Sequence, residues 1–295
     1  MPQLLHGYHD NHHRCQLFLN PNHENPPHTF RLRTVKTPWS IHNRLLEHLE
    51  AYGLLHFANL TARPGSFTAD PSLLTSLVDR WRLETHTFHY RCGELAPTLK
   101  DVSMITTLPI RGVPVVHPGV SPTWPADVSG RLRLEMPISD RSGLPRGVPL
   151  SWLRTNFEIL STYVDPETTK RHLIAYLLWL FGVMLPNSHG EVVLPGLIYF
   201  ATKIVDEPLP QNPSYSFGFS HTYRGLCDAS QKTSFTSKAS LLCVSYEFLQ
   251  LWSSEYLPVG RPQIVEPATP YDYGAGVVTM SSRWMLGRKN GLLKL

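Results

Sequence analysis

The chain has 295 residues, 42% hydrophobic and 17% charged, with a net charge of +4 and a pI near 8.9. Its 26 prolines and 19 glycines are too few for a disordered chain of biased composition. Charge this mild does not suit a domain held on nucleic acid by phosphate contacts, and the length is enough to bury a sizeable core. The longest apolar run, residues 173–185, has 13 residues. A bilayer span needs roughly 20, so this run is expected as a buried helix. His6, His9, Asp10, His12, His13 and Arg14 interrupt the N-terminus, so neither an ordinary secretion signal nor a membrane anchor is expected. Cys15, Cys92, Cys227 and Cys243 show no C-x-x-C spacing and are expected as free thiols in a reducing compartment.

Residues 1–36 hold six of the 15 histidines with Asn and Pro and little apolar period, which predicts a mobile arm. Thr37-Pro38 then signals a helix start, with Ile41, Leu45, Leu46, Leu49 and Tyr52 on one face and Gly53 at the C-cap. The signal recurs at Asp70-Pro71, with Leu73, Leu74, Leu77, Val78 and Trp81 on one stripe. Residues 85–91 alternate (His86, Phe88, Tyr90 against Thr87, His89), which suits a short strand. Thr98 and Asp101 form a capping box before Val102, Ile105 and Leu108, with Pro109 as the stop. Residues 113–116 read as a second short strand.

Residues 117–147, rich in Pro, Gly and Ser, predict a long loop. A helical part over 148–258 follows. Its stripes are Trp152, Leu153, Phe157 and Leu160; the apolar helix opened by Asp165-Pro166-Glu167 and ended by Pro186; Leu197, Ile198, Ala201 and Ile204 behind Pro195; Phe219, Tyr223 and Leu226; and a last helix from Leu241 and Leu242 through Phe248, Leu249, Trp252 and Tyr256, stopped by Pro258. Residues 259–289 form a C-terminal segment and 290–295 a tail. Helices outnumber strands, no β-α rhythm is present and no solenoid period recurs. The expected fold is mainly α, a multi-helix globular domain over residues 37–289 with a small β element near 85–116.

Reactive chemistry is thinly represented. His9, His12 and His13, or His86, His89 and Cys92, have ligand types, but the arm offers no fold and residues three apart on a strand face opposite sides, so no metal is expected. There is no G-x-S-x-G, S-x-x-K, Walker A or G-x-G-x-x-G motif. Glu84, Glu94 and Asp79 beside Arg80 read as solvent-facing charge. Arg31, Arg33 and Lys36, the Arg80 and Arg82 pair around Trp81, and the basic end (Arg283, Arg288, Lys289, Lys294) are small basic clusters. With the loosely winged-helix-like order over 71–116 they raise nucleic-acid binding, but Lys100 is the one cation of helix 98–108, and solvated faces are the preferred reading.

Several ordered segments carry a resemblance. They are residues 73–82 (Leu-Leu-Thr-Ser-Leu-Val-Asp-Arg-Trp-Arg), Glu84 to His89, Cys92-Gly93-Glu94-Leu95, Thr98 to Val102, and Leu108-Pro109-Ile110 with Gly112 and Pro114. Further on come Trp152-Leu153 with Phe157, Tyr223 to Ala229, Leu249 to Trp252, Leu257 to Pro262, and Arg283-Trp284 with Gly287-Arg288-Lys289. Over about residues 37–289 the chain resembles the plant mobile domain family, also called aminotransferase-like plant mobile domain, which includes MAIN-like proteins. It departs at residues 216–221 and at Ser254, and the family domain ordinarily continues past Arg-Trp. The resemblance implies a nuclear, plant-specific, largely helical module of transposable elements and derived host proteins. Host members resemble regulators of meristem maintenance, transposon silencing and gene expression, with phosphatase-like partners. No catalytic residues come with it. The eight lysines lie in no recognisable pyridoxal-phosphate setting, so the aminotransferase label is treated as a name and no cofactor is expected.

The expected function is a non-enzymatic nuclear protein-interaction domain. Its partners are nuclear proteins, a phosphatase-like protein or other plant-mobile-domain proteins; no membrane is expected, and nucleic acid only weakly. The alternatives are a transposon-derived nucleic-acid accessory, a degenerate truncated copy and, weakest, a cofactor enzyme. The signature residues are Asp79, Arg80, Trp81, His86, Phe88, Gly93, Glu94, Trp252, Gly260, Arg261 and Pro262. Trp81 and Phe88 are expected in the core, Gly93 in a turn, and Asp79, Arg80 and Glu94 in one polar network. Trp81, Phe88, Tyr90 and Trp252 would supply whatever apolar surface a partner meets.

Overall fold

The computed structural model describes residues 29–32, 38–62, 69–90, 92–108, 110, 113–114, 119–137, 146–161, 163–185, 191–207, 213–214, 216–232 and 241–257. In chain order the elements are β1 (Arg31–Leu32), α1 (Asn43–Ala51), α2 (Leu55–Ala62), α3 (Pro71–Arg80), β2 (Trp81–Arg82), β3 (Thr87–Tyr90), β4 (Gly93–Leu95), α4 (Leu99–Thr106) and β5 (Val113–Pro114). They continue with α5 (Trp124–Leu132), β6 (Val148–Pro149), α6 (Leu150–Phe157), α7 (Pro166–Met184), β7 (Val192–Val193), α8 (Leu197–Asp206), β8 (Pro213–Ser214), α9 (Ser216–Ser230), β9 (Leu241–Leu242) and α10 (Tyr246–Tyr256). The fold is mainly α. The chain divides into two compact units, neither continuous in sequence. One comprises the described residues within Val35–Phe67 and Thr106–Gly218; the other, those within Met1–Thr34, Thr68–Ile105 and Phe219–Leu295.

The first unit is built on α7. Asp165 caps it, accepting from the Thr168 amide at 2.9 Å and the Thr168 hydroxyl at 2.6 Å, with Pro166 at the first helical position and Glu167 in the first turn. Every residue from Leu173 to Met184 is buried, so the helix needs cover on all sides. α1, α2, α5, α6, α8 and β7 supply it. Trp39 sets its ring edge-on to Tyr176 at 5.5 Å and to Trp179 at 5.7 Å. A methyl at Gly182 would lie 2.7 Å from Val193 Cγ2 and 2.8 Å from Leu150 Cδ2, so glycine lets β7 and α6 close on the helix. β6 pairs antiparallel with β7, and β5 pairs parallel with β8.

In the second unit Asp70 caps α3, accepting from the Ser72 and Leu73 amides at 3.0 Å. Leu74, Leu77 and Val78 are buried, and the chain leaves the helix at Trp81 into an antiparallel sheet of order β2-β3-β4. Gly93 pairs with Tyr90 at φ +138°, a conformation that disfavours any side chain. The Thr98–Asp101 capping box is formed: the Thr98 amide donates to Asp101 Oδ2 at 2.7 Å and the Asp101 amide to Thr98 Oγ1 at 3.2 Å. α9 lies against the chain at Cys243, where a Cβ on Gly225 would meet the Cys243 carbonyl oxygen at 2.0 Å.

The structure corrects several expectations. Residues 29–32 are not part of a mobile arm: Phe30 is buried, its amide donates to Thr75 Oγ1 at 2.9 Å, and Arg31–Leu32 pairs parallel with Leu241–Leu242. The rest of the arm, residues 1–28 and 33–36, lies outside the described residues. The first helix starts at Asn43 rather than Pro38, because the His42 ring nitrogen accepts from the Arg44 amide. α2 was not anticipated. The expected loop 117–147 contains α5, whose Trp124, Val128 and Leu132 are buried. Leu241 and Leu242 form a strand, not the start of the last helix, which begins at Tyr246. The β element begins earlier than expected, at Trp81, and the Val113–Pro114 strand joins Pro213–Ser214 instead of extending the meander, so no winged-helix arrangement forms.

Two glycines give opposite outcomes in urea unfolding. Gly225→Ala lowers stability by about 2–3 kcal/mol, because its methyl meets backbone that cannot turn aside. Gly130→Ala, in α5 with nothing within 4 Å of the added methyl, raises stability by about 0.5–1 kcal/mol.

Candidate interaction site

The described signature residues fall in the second unit, around one aromatic column. Trp81 and Phe88 are cross-strand partners on β2 and β3, fully buried, with ring centroids 4.8 Å apart. Tyr223 of α9 meets Trp81 edge-on at 5.0 Å. Trp252 of α10 lies 5.3 Å from Phe88, and Tyr256 follows one turn on at 5.4 Å from Trp252. Trp81 Nε1 donates to Cys227 Sγ at 3.3 Å. Burial raises the Cys227 thiol pKa, which leaves it a packed acceptor and no ready nucleophile. Trp81, Phe88 and Trp252 are therefore core and present no surface to a partner.

His86 sits in the β2–β3 turn at φ 53°, exposed, its ring stacked on Tyr223 at 6.1 Å. Arg80 donates to the Ser76 carbonyl at 2.8 Å and sets its guanidinium 5.8 Å from the Tyr90 ring centre. Burial pushes the Tyr90 phenol up to about 12. Glu94 Oε2 accepts from Thr87 at 2.8 Å, and Glu94 Oε1 lies 3.5 Å from His89 Nε2. Thr85 bridges Thr87 at 2.7 Å and His89 at 3.2 Å. Arg80 and Glu94 thus belong to separate bonding groups. The Asp79 carbonyl accepts from Arg82, whose side chain is buried and also bonded to the Trp81 carbonyl, so this cation is not presented to a phosphate backbone. Gly260, Arg261 and Pro262 lie outside the described residues.

Three features escaped the sequence reading. The Tyr256 hydroxyl donates a hydrogen bond to Asp101 Oδ1, tying the end of α10 to the capping box of α4 and raising the Tyr256 pKa to about 12. The Tyr223 hydroxyl donates to the Pro97 carbonyl at 2.8 Å, next to the same cap. Glu247, in the first turn of α10, buries Oε2 without a hydrogen-bond partner, although the residue keeps some exposure. Desolvation raises its pKa to about 7, against smaller lowering by its own amide and by Tyr246. Among the described residues no group of three or more His, Cys, Asp or Glu side chains is placed to hold a metal.

The first unit, taken by itself, carries an exposed apolar feature. In the α6–α7 connection Ile159 is 87% and Tyr163 91% exposed. Leu160 between them is buried and anchors the loop. Ile159 and Tyr163 are thus large side chains that the core of this unit leaves unused.

The family model described as plant mobile domain matches residues 57–292. The chain is similar to the Arabidopsis thaliana protein MAIN-LIKE 1, 29% identical over 238 residues, which is 79% of this chain and 44% of that protein. It is similar to MAINTENANCE OF MERISTEMS of the same plant, 30% identical over 204 residues, 68% of this chain and 40% of that one. It is also 37% identical over 197 residues to the Arabidopsis serine/threonine-protein phosphatase 7 long form homolog, covering 65% of this chain and 14% of that protein. The chain spans less than half the length of these curated relatives. No solved structure matches it.

Tyr256→Phe removes the donor to a buried carboxylate and lowers stability by about 1–3 kcal/mol in urea unfolding. Glu247 has a folded-state pKa above its unfolded value of 4.5, so the folded protein binds more protons between pH 4.5 and about 7. Stability falls as pH rises through that window. Glu247→Gln is therefore more stable than the parent at pH 8, by at most about 3 kcal/mol, and the two converge near pH 4. Melting curves from pH 4 to 8 check both the size and the sign.

Proposed function

The chain belongs to the plant mobile domain family, and we propose that it acts as a non-enzymatic, nuclear protein-interaction domain. The observation that carries this reading is the range of proteins sharing the domain. It aligns with 44% of MAIN-LIKE 1 and with only 14% of a protein whose name is that of a phosphatase homologue. A region that recurs at such different shares of longer chains behaves as a module, and its most general task is attachment. The polar groups around the signature residues support the same reading. They bond to caps, carbonyls and one another. The caps at Asp70, Thr98 and Asp165 favour a maintained fold over a degenerate copy. The partner is a nuclear protein, of phosphatase type or another plant-mobile-domain chain, and the roles are those of meristem maintenance and gene and transposon silencing.

Exposed Ile159 and Tyr163 give the reading a handle. Affinity purification of the tagged chain from plant nuclei, with the double variant I159D/Y163D alongside, is expected to retain a defined protein set on the parent and lose it on the variant. The purified chain is expected to leave p-nitrophenyl phosphate unhydrolysed. Exclusion of the chain from nuclei, or turnover by the purified chain, overturns the proposal.

A further inference from the structure

We propose that the groove between α1 and the first turns of α7 binds a small organic anion, a carboxylate carried on a flat apolar ring. The groove lies wholly within the first unit, is open to solvent along one side and has a volume of about 580 Å³. That lies inside the roughly 300–1,000 Å³ typical of small-molecule sites. Its floor is apolar: Leu173 of α7 and Val205 of α8 are buried, and Val164 borders them. One wall is aromatic. His48 and Tyr52, four residues apart on α1, stack with ring centroids 6.5 Å apart and planes inclined by 24°. A flat ring placed on this floor meets both apolar surface and a ring face.

The rim sets the charge of the ligand. Arg44 and Lys170 both line the groove, and Glu47 is the one carboxylate among the described lining residues. Lys170 has a partial partner in Glu167 at 3.6 Å, outside the lining. Arg44 is exposed and makes no ion pair among the described residues. The groove therefore holds a guanidinium that is not tied up in an ion pair, and its planar fork matches a carboxylate through two parallel hydrogen bonds. Burial and nearby Asp206 raise the Tyr52 pKa, so the phenol beside this site stays neutral and adds no negative charge at neutral pH. Arg44 and Lys170 outnumber the single rim acid, Glu47, so the rim favours an anionic guest over a cationic one.

Isothermal titration of the full chain with 2-naphthoate, and with neutral 2-naphthamide of the same shape, tests the assignment independently of the interaction reading. One saturable site for the acid, about tenfold tighter than for the amide, is expected. Arg44→Gln is expected to weaken the acid by about tenfold and leave the amide unchanged. Arg44 is exposed, so the melting temperature stays at the parent value. Absence of saturable binding overturns the assignment. So does equal binding of acid and amide, which would make the groove an apolar contact for some other occupant. Parent-like acid binding by a folded R44Q/K170Q double variant overturns it as well.

Discussion

A helix that is apolar on every side cannot stop at one partner, and α7 imposes that condition on the first unit. From Leu173 to Met184 each residue is withdrawn from water, so each direction around the axis needs a neighbour. Full burial of one large aliphatic or aromatic side chain contributes roughly 1.5–3 kcal/mol, and a gap leaves the lining atoms without contacts. Cover is drawn from chain on both sides of the helix in sequence: α1 and α2 from before it, α5 and α6 immediately before, α8 after. This is why the unit is assembled from separated segments. Gly182 marks where cover comes closest, and the half-exposed first turns, with Glu167 and Lys170 outside, mark where it runs out. The groove under Arg44 lies at that end of the helix.

The second unit meets the same demand with rings rather than with one long helix. Trp81 is both the residue at which α3 ends and the first of β2, so its burial fixes the angle between helix and sheet. Phe88, Trp252 and Tyr256 continue the column, and its last ring carries a hydroxyl. That hydroxyl turns a packing contact into a specific one, because Asp101 accepts it while also capping α4. One carboxylate thereby aligns a helix start, a helix end and the aromatic column. Loss of the Tyr256 hydroxyl leaves the buried Asp101 carboxylate short of a donor, which is the costly case, whereas Tyr256 itself reaches solvent.

Much of the helical framework was legible because its signals are local. Asp70-Pro71 and Asp165-Pro166 announce their helices through cap chemistry confined to four residues, and the Thr98–Asp101 box does the same. Trp81 was legible as core from its place on the stripe of α3, and Phe88 from its alternation with polar neighbours. What failed was non-local or masked by composition. The β1–β9 and β5–β8 pairs are two residues each and join distant segments, so no period reveals them. Leu241 and Leu242 looked helical because a genuine stripe starts a few residues later. α5 hid among prolines and glycines, although Trp124, Val128 and Leu132 are spaced for one face. The Tyr256–Asp101 bond spans 155 residues, and the burial of Glu247 depends on what packs over its helix start. Neither can be read from neighbours in sequence.

The placement of the signature residues limits what family membership can transfer. Trp81, Phe88 and Trp252 face inward, and Arg80, Thr87 and Glu94 are bonded to their own unit. Residues of this kind specify a fold and are indifferent to whatever the surface meets. Relatives matched at about 30% identity can therefore share the caps and the core while recognising different molecules. Among the described residues, the loop bearing Ile159 and Tyr163 and the α1 face bearing Arg44 and His48 are groups that the core does not consume. Those groups make few internal bonds, so substituting them leaves the fold intact and changes only what is bound, which separates a functional loss from a folding one.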